Sequence, residues 1–250
     1  MRGYNVTSAF QKVIRSTLGI FRADASHQIL GFQAMFRSTI QTPFSSFRSM
    51  SSTMPMDPDI NRTMSYWFDG PEPQKKWFAG GPAVDAEIRD QFGGLVEKAR
   101  AHELGSWTSE PVGTLALIIL LDQFPRNIFR GTPSAFSSDP QALNVTTTAI
   151  AKGFDRSVSH TQQSFFYLPL MHGENLLSQV AGVALTEAAL ARCEPNDSEL
   201  KEYWERSIKF AYSHRDSILK FGRFPSRNEA IGRESTPEEI AYLKENPSGF

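Results

Sequence analysis

An uninterrupted apolar segment, Leu115–Leu121, is followed directly by charged and amide side chains. Pro111 precedes it, and proline is typical of the first turn of a helix. A helix that is apolar on every side has no face for water, so it must lie at the centre of a domain. The sequence therefore predicts a helical core. The polar residues that directly follow its central helix are expected to lie in a poorly hydrated region.

Proline and glycine divide the rest of the chain into further helical segments. Over residues 82–101, for example, apolar side chains recur at spacings of three or four. Valine and isoleucine do not alternate with polar residues, and no hairpin turn lies between candidate strands. The predicted helices cover residues 58–68, 82–101, a segment from 111, 139–152, 173–192, 198–221 and a segment from 237. We therefore predict one all-α domain over residues 57–250.

The first 56 residues differ from the rest in charge. They contain six basic residues, nine serines and a single acidic residue, Asp24. Apolar residues recur at helical spacing over residues 10–21, and a basic, serine-rich, acid-poor N-terminus is typical of a mitochondrial transit peptide. We predict that residues 1–56 are a disordered or loosely helical leader to the mitochondrial matrix. The alternatives are an uninformative tail and a cytoplasmic form that starts at Met54 or Met56.

The composition excludes several classes of protein. The single cysteine, Cys193, can form neither an internal disulfide nor a cysteine-rich zinc site. A net charge of −1 provides no general attraction to nucleic acid, and no run reaches the roughly 18 apolar residues of a membrane span. The sequence also lacks a phosphate-binding loop, a dinucleotide-binding glycine motif and a nucleophile elbow, so we predict no cofactor.

Two polar segments share a Phe-Pro pair followed by Arg-Asn, one after the apolar run and one near residue 225. Guanidinium groups that converge on one pocket would bind phosphate or carboxylate through paired hydrogen bonds. The alternative is that these side chains bridge helix ends and cap their carbonyl groups. The candidate ligand-binding residues are Arg126, Asn127, Arg130, Arg223, Arg227, Asn228 and Arg233.

His172 and Glu174 are expected at the start of a helix, where the carboxylate interacts favourably with the helix dipole. They could instead be a general base and its orienting carboxylate, or part of a structural buried network. A metal site with His214 is disfavoured because residues two apart on a helix point to different sides, and we predict no metal. The candidate catalytic residues are His172, Glu174, Asp122 and His214.

Three stretches, LALIILLDQFPRNIFRGTPSAFSSD, FFYLPLMHGENLLSQ and HRDSILKFGRFPSRNEAIGRESTPEE, resemble the signature blocks of the family of domain of unknown function 924. The resemblance covers about residues 57–243. It implies an all-helical fold of the tetratricopeptide-like superfamily, and it implies no activity. The family usually has serine and an acidic residue where this chain has Gly173 and Asn175, and histidine where it has Ser226. These departures weaken the case for acid–base chemistry there.

Two functions are compatible with these features. A helical array could be a binding module that holds a small anionic ligand, a peptide or a partner protein in an Arg/His/Glu-lined pocket. An enzyme could combine acid, base and charge-stabilising groups in the same pocket. The pocket of such an enzyme or small-molecule binder would combine Asp122, Arg126, His172, Glu174, His214 and Arg227. A structural polar network without a ligand is the third interpretation, and it is favoured if these groups pair with one another.

Asp122 follows the buried helix and needs a cationic or donor partner. Arg126 lies four residues later and can reach it along the same helix. The more distant arginines have few acids near them in the sequence, so Glu174 is the expected remote acceptor. The segments that we predict to meet in space are Leu121–Arg130, His172–Asn175 and Arg223–Asn228.

The leader can be tested by fusing residues 1–56 to a fluorescent protein. We expect import into mitochondria, because an inside-negative membrane potential attracts basic segments. Glutamate at Arg2, Lys12, Arg15 and Arg22 should abolish import, whereas exchanging arginine and lysine at the same positions should preserve it. Fluorescence microscopy measures the outcome, and a mitochondrial signal from the glutamate variant contradicts the prediction.

Overall fold

The computed structural model describes residues 56–71, 73–78, 80–246 and 249. The predicted leader therefore lies outside the described residues except for Met56. No β-strand occurs in the described ranges, which confirms the predicted all-α class. No helix in these ranges is both long enough and apolar enough to cross a membrane. The tetratricopeptide-like arrangement stays a prediction.

Ten helices follow one another along the described part of the chain. They are α1 (Pro58–Phe68), α2 (Pro73–Phe78), α3 (Pro82–Arg100), α4 (Pro111–Ile118), α5 (Phe124–Ile128), α6 (Asp139–Ala151), α7 (His160–Met171), α8 (Leu176–Ala191), α9 (Ser198–Phe221) and α10 (Pro237–Glu245). Short 3-10 turns occur at Gly105–Ser109, Pro133–Ala135, Phe154–Arg156 and Pro225–Arg227.

Helix α7 was not predicted, although its first turn has a clear sequence signal. The Ser159 side chain accepts from the Gln162 N–H, and the Gln162 side chain accepts from the Ser159 N–H, which makes a capping box. Helix α8 begins later than expected because Asn175 is its N-cap and accepts from the Ser178 N–H at 2.8 Å. His172 and Glu174 thus lie in the joint between α7 and α8, and their predicted place at a helix start is wrong.

The central helix is buried as predicted, since Leu115–Leu121 are each at most 4% exposed. Between α4 and α5 the backbone forms a wide turn, Ile119–Gln123, that closes with a bond from the Phe124 N–H to the carbonyl of Ile119. Pro125 has no N–H to offer the carbonyl of Leu121. The hydroxyl of Ser138 donates to that carbonyl at 2.7 Å instead, which attaches the start of α6 to the end of the central helix.

Aromatic side chains surround the end of the central helix. The ring centroid of Phe124 lies 5.4 Å from that of Trp67 in α1 and 4.9 Å from that of Phe92 in α3. Phe165 of α7 contacts Trp67 at 6.1 Å in an edge arrangement. Pairs of this kind contribute about 0.5–1.5 kcal/mol beyond the burial of their area. The core therefore continues as far as the turn that carries the first polar segment.

Helices α8 and α9 form a hairpin, and Tyr212 of α9 donates to the Glu187 carboxylate of α8 at 2.6 Å. Gly222 ends α9 with φ of 71°, a left-handed conformation that glycine adopts without strain. The chain then reverses, and the Phe224 N–H reaches Glu174 at 2.7 Å. The second Phe-Pro segment is thereby brought back to the α7–α8 joint.

Gly113 in α4 lies against the preceding turn, because an added Cβ would meet the Trp107 carbonyl oxygen at 2.6 Å and Ile60 Cδ1 at 3.1 Å. We expect Gly113→Ala to lower the free energy of unfolding by about 1–3 kcal/mol, since overpacking shifts the backbone. Gly94→Ala in α3 is the matched control, with nothing within 4 Å of its added Cβ. It should stabilise by about 0.5–1 kcal/mol. Urea unfolding measures the free energy of unfolding of both variants. A Gly113→Ala variant as stable as the wild type contradicts the prediction.

Candidate functional site

A carboxylate with no exposed surface, Asp122, lies at the wide turn after the central helix. Its Oδ1 is 2.7 Å from Nδ1 of His172 and 3.3 Å from Nη1 of Arg126, and the Gln123 amide donates to its Oδ2. Burial alone would raise the pKa of Asp122, but Arg126 and His172 outweigh it and hold the pKa below its usual range. The predicted pairing of Asp122 with Arg126 is confirmed.

Asp139, the first residue of α6, joins two arginines. Its carboxylate accepts from Nη1 and Nη2 of Arg126 at 2.9 and 3.0 Å, and from Nη1 of Arg227 at 3.0 Å. Sequence reasoning treated Asp139 only as the beginning of a helix, because the following Pro140 is a helix-start signal. Its pairing depends on chain segments that meet only in the folded domain.

Arg227 connects the ion pair of Asp139 and Arg126 to the joint between α7 and α8. Its Nη2 donates to the carbonyl of His172 at 2.9 Å. Its guanidinium carbon lies 4.6 Å from the ring centroid of Phe136 and 4.7 Å from that of Phe224, so the aromatic rings add a cation–π contribution. The predicted meeting of the three polar segments is therefore confirmed.

Glu174 binds a different arginine. Its carboxylate accepts from Nη1 and Nη2 of Arg233 at 2.7 and 2.8 Å, and from the Phe224 N–H. Burial opposes ionisation, but Arg233 and that N–H lower the pKa of Glu174. Glu174 is thus the acceptor for a distant arginine, as predicted. It is not the carboxylate that orients His172, because Asp122 holds that imidazole.

The candidates Asn127 and Arg130 bind a carboxylate of α3. Nε and Nη2 of Arg130 donate to Asp85 at 2.7 and 2.8 Å, and Nδ2 of Asn127 donates to Asp85 at 2.9 Å. The hydrogen bonds from Arg130 hold the pKa of Asp85 below its ordinary value, against the opposing effect of burial. Asn127 therefore joins α5 to α3, and Arg130 joins the segment after α5 to the same helix.

The candidates Arg223 and Asn228 bind a carboxylate of α10. Nε and Nη2 of Arg223 donate to Glu239 at 2.6 and 2.8 Å, and Nδ2 of Asn228 donates to it at 3.2 Å. The hydrogen bonds from Arg223 lower the pKa of Glu239 to about 2. All five candidate arginines are therefore paired with carboxylates of the protein itself.

His214 of α9 lies beside His172, with 6.0 Å between the ring centroids. Burial, together with His172, lowers the pKa of His214 to about 3. Burial and Arg126 also lower the pKa of His172, so both rings are neutral at pH 7. With its Nδ1 proton held by Asp122, His172 keeps Nε2 as an acceptor. No group of three or more His, Cys, Asp or Glu side chains in the described ranges is placed to hold a metal ion.

A cavity of about 420 Å³ lies between α2, α7 and α9. Its aromatic lining consists of Trp77, Phe165, Tyr167, Tyr203, Trp204 and Phe210. Gln123 also lines it, and through Asp122 this side chain connects the cavity to the polar network. Sequence reasoning missed the cavity, because its wall is shared by helices far apart in the chain. The aromatic run Phe165–Tyr167 was the one visible signal.

Together these features define an all-helical domain with an arginine–carboxylate–imidazole network beside an aromatic cavity. A family described as bacterial proteins of unknown function, DUF924, matches residues 63–247. Among solved structures, a protein of unknown function from Agrobacterium tumefaciens aligns with a TM-score of 0.62 and 36% identity, over 74% of this chain and 97% of that chain. No curated protein matches the chain. This chain belongs to the DUF924 family.

The shared ion pair of Asp139 can be tested by a double-mutant cycle. We expect Asp139→Asn and Arg227→Met to be non-additive by about 0.5–3 kcal/mol, because each removes the same contact. Asp139→Asn combined with Arg130→Met is the control, since Arg130 binds Asp85 instead. Those effects should add within about 0.5 kcal/mol. Urea unfolding provides the free energies, and additivity in the first cycle contradicts the network.

Proposed function

We propose that the domain is a binding module and that the apolar part of its ligand lies in the aromatic cavity. The observation that carries this proposal is the cavity itself, about 420 Å³ in volume and lined mainly by apolar surface. Small-molecule sites typically have volumes of about 300–1,000 Å³ and an apolar wall with a few polar groups. The tetratricopeptide-like fold implied by the family resemblance agrees with a binding role, although a fold alone does not determine function.

The arginine-lined pocket for an anion or peptide would have to use groups that already bind carboxylates. Arg126 and Arg227 share Asp139, and Arg233 binds Glu174 through two hydrogen bonds. A ligand that displaced one of these carboxylates would leave a poorly solvated charge without its partner, which costs several kcal/mol. We therefore assign the network a supporting role, in which it fixes the α7–α8 joint and holds Gln123 at the cavity wall.

Proton transfer by His172 is the second candidate function. One observation favours it: the buried Asp122 orients a neutral imidazole through Nδ1, as a carboxylate orients a general base. The side chain of His172 is 14% exposed, and it is not among the residues that line the cavity. A substrate would thus have to reach it from the solvent-facing side. This requirement makes binding in the cavity the better-supported function.

We also propose that residues 57–250 are the functional domain and that residues 1–56 deliver it to the mitochondrial matrix. The support is the charge of the first segment, which carries six basic residues against one acidic residue. The family match begins at residue 63, so the leader lies outside the part of the chain that the family shares.

Filling the cavity should abolish binding of a neutral apolar dye. We expect N-phenyl-1-naphthylamine to fluoresce with the full chain, and Ser207→Trp to weaken binding at least roughly tenfold, because tryptophan would occupy the dye's volume. Ser213→Trp is the matched control on the same helix. Each serine donates to the carbonyl four residues earlier, at 2.9 and 3.0 Å, but only Ser207 lines the cavity.

Fluorescence titration gives the dissociation constants, and circular dichroism verifies that both variants are folded. The proposal fails if the wild-type chain does not bind the dye. It also fails if the folded Ser207→Trp variant binds it as well as Ser213→Trp does.

A further inference from the structure

The hydroxyl groups in the cavity wall donate their hydrogen bonds to other atoms of the protein. Ser164 Oγ lies 2.8 Å from the carbonyl of Thr161 and 2.6 Å from Oη of Tyr203. Each hydroxyl has one proton, so both contacts are hydrogen bonds only when Ser164 donates to the carbonyl and Tyr203 donates to Ser164. The Tyr203 oxygen then retains lone pairs for a ligand and has no proton to offer.

Three further donors of the wall bind groups of the protein itself. Ser207 donates to a carbonyl of its own helix at 2.9 Å, and Trp77 Nε1 donates to a carbonyl of α1 at 2.9 Å. Tyr167 donates to the carboxylate of Asp155 at 2.8 Å. The ring nitrogen of Trp204 is buried without accessible surface, so it does not reach the cavity. The hydroxyl groups of Tyr203 and Ser207 therefore present lone pairs, and no protons, to a ligand.

Gln123 connects the cavity wall to the buried carboxylate. Its amide nitrogen donates to Asp122, and this contact determines which way round the amide lies, since its carbonyl oxygen would be repelled by the carboxylate. The carbonyl oxygen is consequently the end directed away from Asp122. The buried carboxylate thus fixes the orientation of an amide at the wall of the cavity.

We propose that the cavity takes an apolar amine, meaning a molecule with an aromatic or hydrocarbon body and a cationic nitrogen that donates hydrogen bonds. This inference rests on the proposed binding function. An amine N–H matches the lone pairs of Tyr203 and Ser207, and acceptors in apolar surroundings are costly to leave without a donor. Aromatic rings also stabilise a cation that lies over a ring face. A carboxylate placed beside Tyr203 and Ser207 would meet oxygen lone pairs and be repelled.

Arg206 provides the competing possibility, because it is the cationic residue of the lining. Its side chain is 63% exposed and binds Glu202 at 2.7 Å, so it lies at the rim and its charge is locally balanced. Exposed pairs of this kind are weak, and an anionic ligand could separate them. The experiment must therefore include a carboxylate of the same shape as the amine.

Three compounds with one ring system separate these cases: 1-naphthylmethylamine, 1-naphthoate and 1-methylnaphthalene. Each is titrated against the full chain by displacement of N-phenyl-1-naphthylamine. We expect the amine to bind roughly tenfold more tightly than the other two, the effect of about one net hydrogen bond. Tyr203→Phe should remove most of this advantage and leave methylnaphthalene unchanged. Tyr212→Phe, on the same helix and outside the lining, should preserve it.

Each outcome decides the inference. Equal binding of the three compounds overturns the amine preference and leaves the proposed function intact. Tightest binding of naphthoate, lost in Arg206→Met, overturns it in favour of an anion at the rim. Failure of all three to displace the bound dye overturns the inference alone, whereas failure of the dye itself to bind overturns the proposed function as well. An amine preference that Tyr203→Phe reduces and Tyr212→Phe does not supports it.

Discussion

Burial of the Asp122 carboxylate is the constraint on which the arrangement of the polar segments depends. A charge with no exposed surface is tolerable only with close partners, and here Arg126, His172 and Gln123 supply them. Arg126 is in turn held by Asp139, which also binds Arg227. One buried charge thus requires α5, α6, the α7–α8 joint and the segment after α9 to meet in a single geometry.

Local signals gave the elements of this arrangement but not its long-range pairings. The apolar run located the central helix, and the four-residue spacing from Asp122 to Arg126 predicted their contact. Arg227 and Asp139 are 88 positions apart, and a pairing at that separation depends on how helices pack rather than on any local pattern. The two hydroxyl groups that meet at the cavity, those of Ser164 and Tyr203, are 39 positions apart. Their contact could not be predicted from the sequence for the same reason.

The positions where this chain departs from the family pattern have structural explanations. Asn175 is the N-cap of α8, a role that asparagine and aspartate fill equally well. Gly173 lies close to the next turn, since an added Cβ would be 3.1 Å from Cβ of Ser178. Ser226 is exposed in the turn Pro225–Arg227, and it makes none of the contacts of the buried network. The departures therefore leave the Asp122–His172 contact intact.

The wide turn Ile119–Gln123 also determines the direction, about the helix axis, in which the side chains of α5 point. A turn closed over five residues acts as a one-residue insertion in a helix, and one residue corresponds to a rotation of about 100°. Without it, the face of α5 that now carries Asn127 towards Asp85 would be turned by that angle. Deleting Ile119 or Leu120 from this turn would keep every polar side chain of the segment and yet point them at the wrong neighbours.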